Sequence, residues 1–140
     1  MRFLAMVKSS DDTEAGVMPS QELLAEMTRY NEELVKNGIM LGGEGLQPTS
    51  KGVRIQYQGD QRTVVDGPFT EAKELIAGFW LIQARSLDEA VEWIKRAPFQ
   101  GGEVEIRQVF EEDDFGDEYT PELRDANERL RAEIESRTQQ

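Results

Sequence analysis

The chain has 140 residues and a formal net charge of −12, from 28 acidic against 16 basic side chains, with no cysteine and no histidine. Disulfides, thiolate nucleophiles, cysteine zinc sites and histidine bases are excluded, so any acid–base chemistry falls to carboxylate, lysine, tyrosine or bound water. The charge balance argues against a nucleic-acid surface, and no apolar run reaches the roughly 18 residues of a membrane span, so the expected location is cytoplasmic.

Arg2 to Val7 reads as a first strand, followed by a polar loop from Lys8 to Gly16. Pro19-Ser20 opens a helix in which Leu23, Leu24, Met27, Tyr30, Leu34 and Val35 recur at helical spacing, with Gly38 as the stop. Ile39 to Pro48 is a short apolar strand passing into a glycine-rich bend, where the backbone approaches a neighbour closely. Val53, Ile55 and Tyr57 alternate with polar residues, and Gln58 to Gln61 turns the chain into Thr63, Val64 and Val65, which predicts a hairpin. The hairpin ends at Asp66-Gly67-Pro68-Phe69, where proline removes a ladder donor and Asp66 can cap the turn.

A charged link, Thr70 to Glu74, leads to Ile76–Ala84, which reads as a central strand buried on both faces. Ser86 and Glu89 have capping-box spacing for a helix from Leu87 to Arg96. A last strand carries Val104, Ile106, Gln108 and Phe110 and is expected at a sheet edge. The order predicts an α+β fold of ferredoxin-like connectivity, an antiparallel sheet with two helices on one face. The uncovered sheet face predicts a homodimer packed sheet to sheet.

The body is expected over residues 1–110 and a separate acidic appendage over 111–140, which holds 11 acidic and 4 basic residues. Glu111 to Asp114 reads as solvated linker. Thr120-Pro121 then caps a C-terminal helix with Leu123, Ala126, Leu130 and Ile134 as a thin apolar stripe, and with pairs Asp125–Arg129 and Glu133–Arg137 at i, i+4. Such a helix is marginal alone and is expected to dock on the body or on a partner.

With these elements placed, the chain resembles the DGPF family within the YCII-related superfamily. The resemblance rests on the opening Arg-Phe-Leu-Ala-Met-Val strand, Gly42 to Pro48, Asp66 to Glu74, Gly78-Phe79-Trp80, Ser86 to Ala90 and Glu103 to Arg107. It implies a ferredoxin-like protomer whose sheet joins a second copy as a dimeric α/β barrel. It also implies an accessory or regulatory role, since members of this branch often accompany sigma-factor or other regulatory genes. In better-studied relatives a histidine on the first helix and a nearby aspartate are suspected of catalysis, and Met27 to Asn37 here contains no histidine.

The candidate catalytic residues are Glu44, among three glycines, and Asp66 at the end of its strand. If both faced one cleft, burial and repulsion would raise one pKa and create an acid–base pair. The structural alternative has Asp66 capping its own turn and Glu44 paired with Lys73 or an arginine. Arg54 and Arg107 are candidate donors for an anionic or polar ligand, Phe69 a candidate cavity wall, and Lys73, with Glu71 and Glu74, either a pocket rim or an anchoring ion-pair network. No phosphate loop, dinucleotide fingerprint, HEXXH or nucleophile elbow occurs, and Glu111 to Asp114 lacks the spacing of a calcium loop, so no cofactor and no metal are expected. Two functions follow: a dimeric module that binds a small polar ligand or a protein partner, or an enzyme of lyase or isomerase type driven by carboxylates. An enclosed cavity with Glu44 or Asp66 inside favours the enzyme.

Overall fold

A computed structural model of the protein describes residues 1–138. It resolves into a body, Met1–Gln108, and a second unit from Val109 onward. The body runs β1 (Arg2–Lys8), α1 (Asp11–Glu14), α2 (Gln21–Lys36), β2 (Met40–Gly45), β3 (Val53–Gln58), β4 (Gln61–Asp66), β5 (Ile76–Gln83), α3 (Leu87–Ile94) and β6 (Val104–Gln108). One sheet has the order β2-β5-β1-β6 and a second contains β3 and β4 alone. Every neighbouring pair in the four-stranded sheet is antiparallel, so two βαβ units, β1-α2-β2 and β5-α3-β6, interleave as the ferredoxin-like reading requires.

Strand alternation sorts the sheet's faces. Phe3, Ala5, Trp80 and Ile82 point to the helices and meet Tyr30 and Leu34 of α2 and Ala90 and Ile94 of α3 in one core. The opposite face carries Leu4, Met6, Phe79 and Leu81, with Glu44, Glu105 and Arg107 towards the two edges. β5 is therefore fully buried on its helix side only; Ala77, Phe79 and Leu81 are half-buried and Ile76 is exposed. A continuous apolar run does not distinguish these two environments.

Local differences from the sequence reading have local causes. The stretch read as loop contains α1, a single turn closed by a reciprocal cap between Ser10 and Thr13, too short to show a period. On α2, Leu24 and Val35 are half or more exposed, because the buried stripe follows Met27, Tyr30 and Leu34 instead. Only half of the box at α3 forms: Ser86 Oγ accepts from the Glu89 N–H at 3.1 Å, while the Glu89 carboxylate takes Arg85 Nε at 2.6 Å. α3 ends at Ile94 and β6, at the sheet edge, ends at Gln108. The hairpin turns through Gly59, with φ of +57°, but every residue of β3 and β4 except half-buried Val65 is exposed. Its strands are not buried.

In the second unit, Glu112–Glu118 forms 3-10 turns rather than a bare linker. Phe110, Phe115 and Tyr119 stack at 5.1 and 5.6 Å, and the Arg124 guanidinium lies over Tyr119 while bonding Glu112 at 3.1 Å and Asp113 at 3.3 Å. Those contacts explain why part of the acidic run is folded. α4 (Pro121–Thr138) starts as expected, with Thr120 Oγ1 accepting from the Leu123 N–H at 3.3 Å, and the Glu133–Arg137 pair forms at 3.1 Å. The Asp125–Arg129 pair does not form among the described contacts. Leu123, Leu130 and Ile134 are exposed.

Candidate functional site

A cavity of about 320 Å³ opens between α2, the glycine-rich end of β2 and Phe99. Met27 and Asn31, one helical turn apart on α2, form one wall, and Trp80, Met40, Val7 and Phe99 form the rest. Two glycines shape the floor. A Cβ on Gly43 would stand 3.0 Å from Trp80 Cδ1 and from the Phe79 carbonyl, and one on Gly78 would stand 3.0 Å from the Glu44 carbonyl. These are the close backbone approaches that the glycine run predicted.

Trp80 is the hub of this wall. Its ring meets Tyr30 edge-on at 5.6 Å and Phe99 at 6.0 Å, and its Nε1–H donates to Asn31 Oδ1 at 2.9 Å. Indole nitrogen is donor only, so the Asn31 amide must present oxygen to it and turn its NH₂ away. That NH₂ has no protein partner among the described residues, and no buried side-chain nitrogen or oxygen lacks one, so it is accessible, on a residue that lines the cavity. Tyr30 is fully used elsewhere: its hydroxyl donates to the Trp93 carbonyl at 2.7 Å, and burial pushes its pKa up to about 12, with the Arg96 charge opposing. It is a packed phenol, not a base.

Glu44 is the one ionisable residue bordering the cavity. It pairs in register with Phe79, whereas Gly43 pairs with Trp80, so its side chain points to the opposite face of the sheet and it brings main chain to the cavity. Its carboxylate is exposed and bonded to neither Lys73 nor an arginine. Arg107 shares that sheet face but lies on β6, the opposite edge from Glu44 on β2. Asp66 stands on the separate hairpin, exposed, and among the described residues its carboxylate has no hydrogen bond to its turn and no ion pair. Lys73 is exposed in a short 3-10 turn, Ala72–Glu74, and no ion pair links it to Glu71 or Glu74.

Arg54 and Phe69 do come together, the guanidinium lying 3.8 Å over the ring centre. The segment after Asp66 is fastened by groups the sequence reading passed over. Thr49 Oγ1 accepts from the Phe69 N–H at 3.0 Å and donates to Glu14, which also accepts from the Thr49 N–H at 3.2 Å. Gly67, joined to Pro68 by a cis peptide, packs so tightly on the Thr49 carbonyl that no Cβ fits there. The motif is thus a structural seam between hairpin and body.

Asn31 itself carried no signal as an isolated polar residue in a helix. Two observations together would have found it: it lies at i+4 from Met27 on the buried stripe, and a buried tryptophan requires an acceptor for its N–H. Among the described residues no helix is long and apolar enough to cross a membrane, and no three His, Cys, Asp or Glu gather as metal ligands.

The model of the YCII-related domain matches residues 1–113. The chain belongs to the YCII-related family. An uncharacterised protein of Rhizobium meliloti (strain 1021) is 29% identical over 92 residues, covering 64% of this chain and 74% of that protein. Among solved structures, the 5-chloro-2-hydroxyhydroquinone dehydrochlorinase of Burkholderia phenoliruptrix AC1100, in complex with 2,5-dihydroxybenzoquinone, aligns at 19% identity with a TM-score of 0.46, over 79% of this chain and 94% of that one.

Proposed function

We propose that this YCII-related protein is a small-molecule-binding module, and that the cavity beside Trp80 is its binding site. The observation that carries the reading is the Asn31 amide: its oxygen is committed to Trp80, so two N–H donors face an otherwise apolar cavity. A volume of about 320 Å³ lies at the small end of the range for ligand sites. The matching ligand is a flat, mainly apolar molecule with a carbonyl, phenolate or carboxamide oxygen for Asn31 and a ring for Trp80. This differs from the small polar ligand expected from the strand arginines, which lie away from the cavity.

Binding is favoured over catalysis because the wall holds no ionisable side chain directed inward: Asp66 is on another sheet and Glu44 points to the other face. The proposal includes a homodimer through the face carrying Leu4, Met6, Phe79 and Leu81, which the helices leave uncovered and which the family resemblance assigns to a second copy. Protein-observed NMR with a panel of aromatic ketones and carboxamides tests the site. Asn31→Leu and the cavity-filling Met27→Trp should each abolish the shifts at Trp80 while the protein stays folded; fragments that bind both variants as well as the wild type would overturn the assignment.

A further inference from the structure

The β3–β4 hairpin has one face with an unusual order of side chains. In its register Val53 lies opposite Asp66, Ile55 opposite Val64, and Tyr57 opposite Arg62. Directly opposed residues share a face. From base to tip that face therefore reads acid, apolar centre, base. Its apolar members are open to solvent: Val53 is 56% exposed, Ile55 50%, Tyr57 70% and Val64 61%. A two-stranded hairpin has little stability of its own, and a contiguous apolar patch on one marks an interaction site.

We infer that this face pairs with the same face of a second copy of the chain, about a two-fold axis crossing the strands at Ile55 and Val64. The charges decide the occupant. Such an axis places Asp66 of one copy against Arg62 of the other at both ends, sets Val64 on Val64 and Ile55 on Ile55, and lays Val53 against Tyr57. The surface is complementary to itself, which is what an isologous contact requires. Both charged groups are available for it. Asp66 has no partner among the described residues, and Arg62 is held over the Tyr57 ring at 4.7 Å using only Nη1, on the Gly59 and Gln61 carbonyls at 2.7 and 2.8 Å. Its remaining N–H groups are free to meet a carboxylate. This contact is separate from pairing through the four-stranded sheet and does not depend on the cavity.

The absence of native cysteine makes the test specific. Val64→Cys places a single thiol at the proposed axis, and Val53→Cys places one well away from its symmetry mate. A short bis-maleimide should link the first variant into covalent dimers at micromolar protein and leave the second monomeric on a denaturing gel. Adding Asp66→Arg or Arg62→Asp to Val64→Cys should each weaken pairing by roughly tenfold or more, through like charges placed face to face. An equimolar mixture of the two double variants restores both opposite-charge contacts, and cross-linking should return to the level of Val64→Cys alone. Equal cross-linking of Val53→Cys and Val64→Cys overturns the inference, as does a Val64→Cys yield that Asp66→Arg leaves unchanged.

Discussion

The four-stranded sheet and the hairpin are built from the same kind of sequence, alternating apolar and polar residues, and end in opposite environments. In the sheet, the alternating set Phe3, Ala5, Trp80 and Ile82 is sealed by α2 and α3. In the hairpin, Val53, Ile55, Tyr57 and Val64 form an equally regular set that faces water. A period of two reports which residues share a face. It does not report what covers that face, which depends on connections many residues away, and here both helices belong to the βαβ units while the hairpin is an insertion between β2 and β5. The contrast places the buried core in the body and leaves the apolar face of the hairpin open to solvent.

The comparison is broken most directly at Trp80. Trp80→Ala removes the ring that joins Tyr30, Phe99 and Asn31, and should cost about 3–5 kcal/mol in urea unfolding, the usual range for emptying a core aromatic. A cost under about 1 kcal/mol would show that the core does not centre on this residue. The same variant should lose fragment binding, because Asn31 is then free to rotate.

A smaller effect separates packing from titration. The Tyr30 phenol is held neutral, with its pKa pushed up to about 12 by burial. The unfolded phenol loses its proton near pH 10, so between about pH 10 and 12 the folded state binds more protons and stability falls as pH rises, by up to about 3 kcal/mol, with no contribution below pH 10. Tyr30→Phe should cost about 1 kcal/mol at neutral pH, for the hydrogen bond to Trp93. The variant should also lack that alkaline limb, so the two stability curves, offset at neutral pH, should converge and cross as pH rises above 10. Parallel curves above pH 10 would mean that the hydroxyl reaches water.

How much of this was legible in the sequence follows from the range of each interaction. Strands, helices and connectivity were readable because Ser20, Gly38, Gly59 and Thr120 punctuate the chain locally. The site was not, because it is assembled by long-range pairs, Asn31 to Trp80 and Tyr30 to the Trp93 carbonyl, and the seam that fastens the hairpin likewise rests on Glu14 and Thr49, 35 residues apart. Glu44 was picked out by its glycine neighbours and does border the cavity, yet the glycines turn out to matter for backbone contact with Trp80, and the carboxylate points away. Asp66 was picked out by its motif, whose tight packing belongs to Gly67 and Phe69 instead.

Asp66 gives the smallest expected effect and the sharpest distinction. A carboxylate that capped its turn would cost about 0.5–2 kcal/mol on replacement by asparagine. Among the described residues the Asp66 carboxylate bonds no backbone group, and it is exposed, so Asp66→Asn should change the stability of the dilute protein by less than about 0.5 kcal/mol. Concentration is the decisive variable. If the carboxylate meets Arg62 of a second copy, the difference between wild type and Asp66→Asn should grow as protein concentration rises, because association stabilises only the folded state. A difference that is the same at every concentration would place any partner of Asp66 within its own chain, and the hairpin would then belong with the body on the stability side of the comparison.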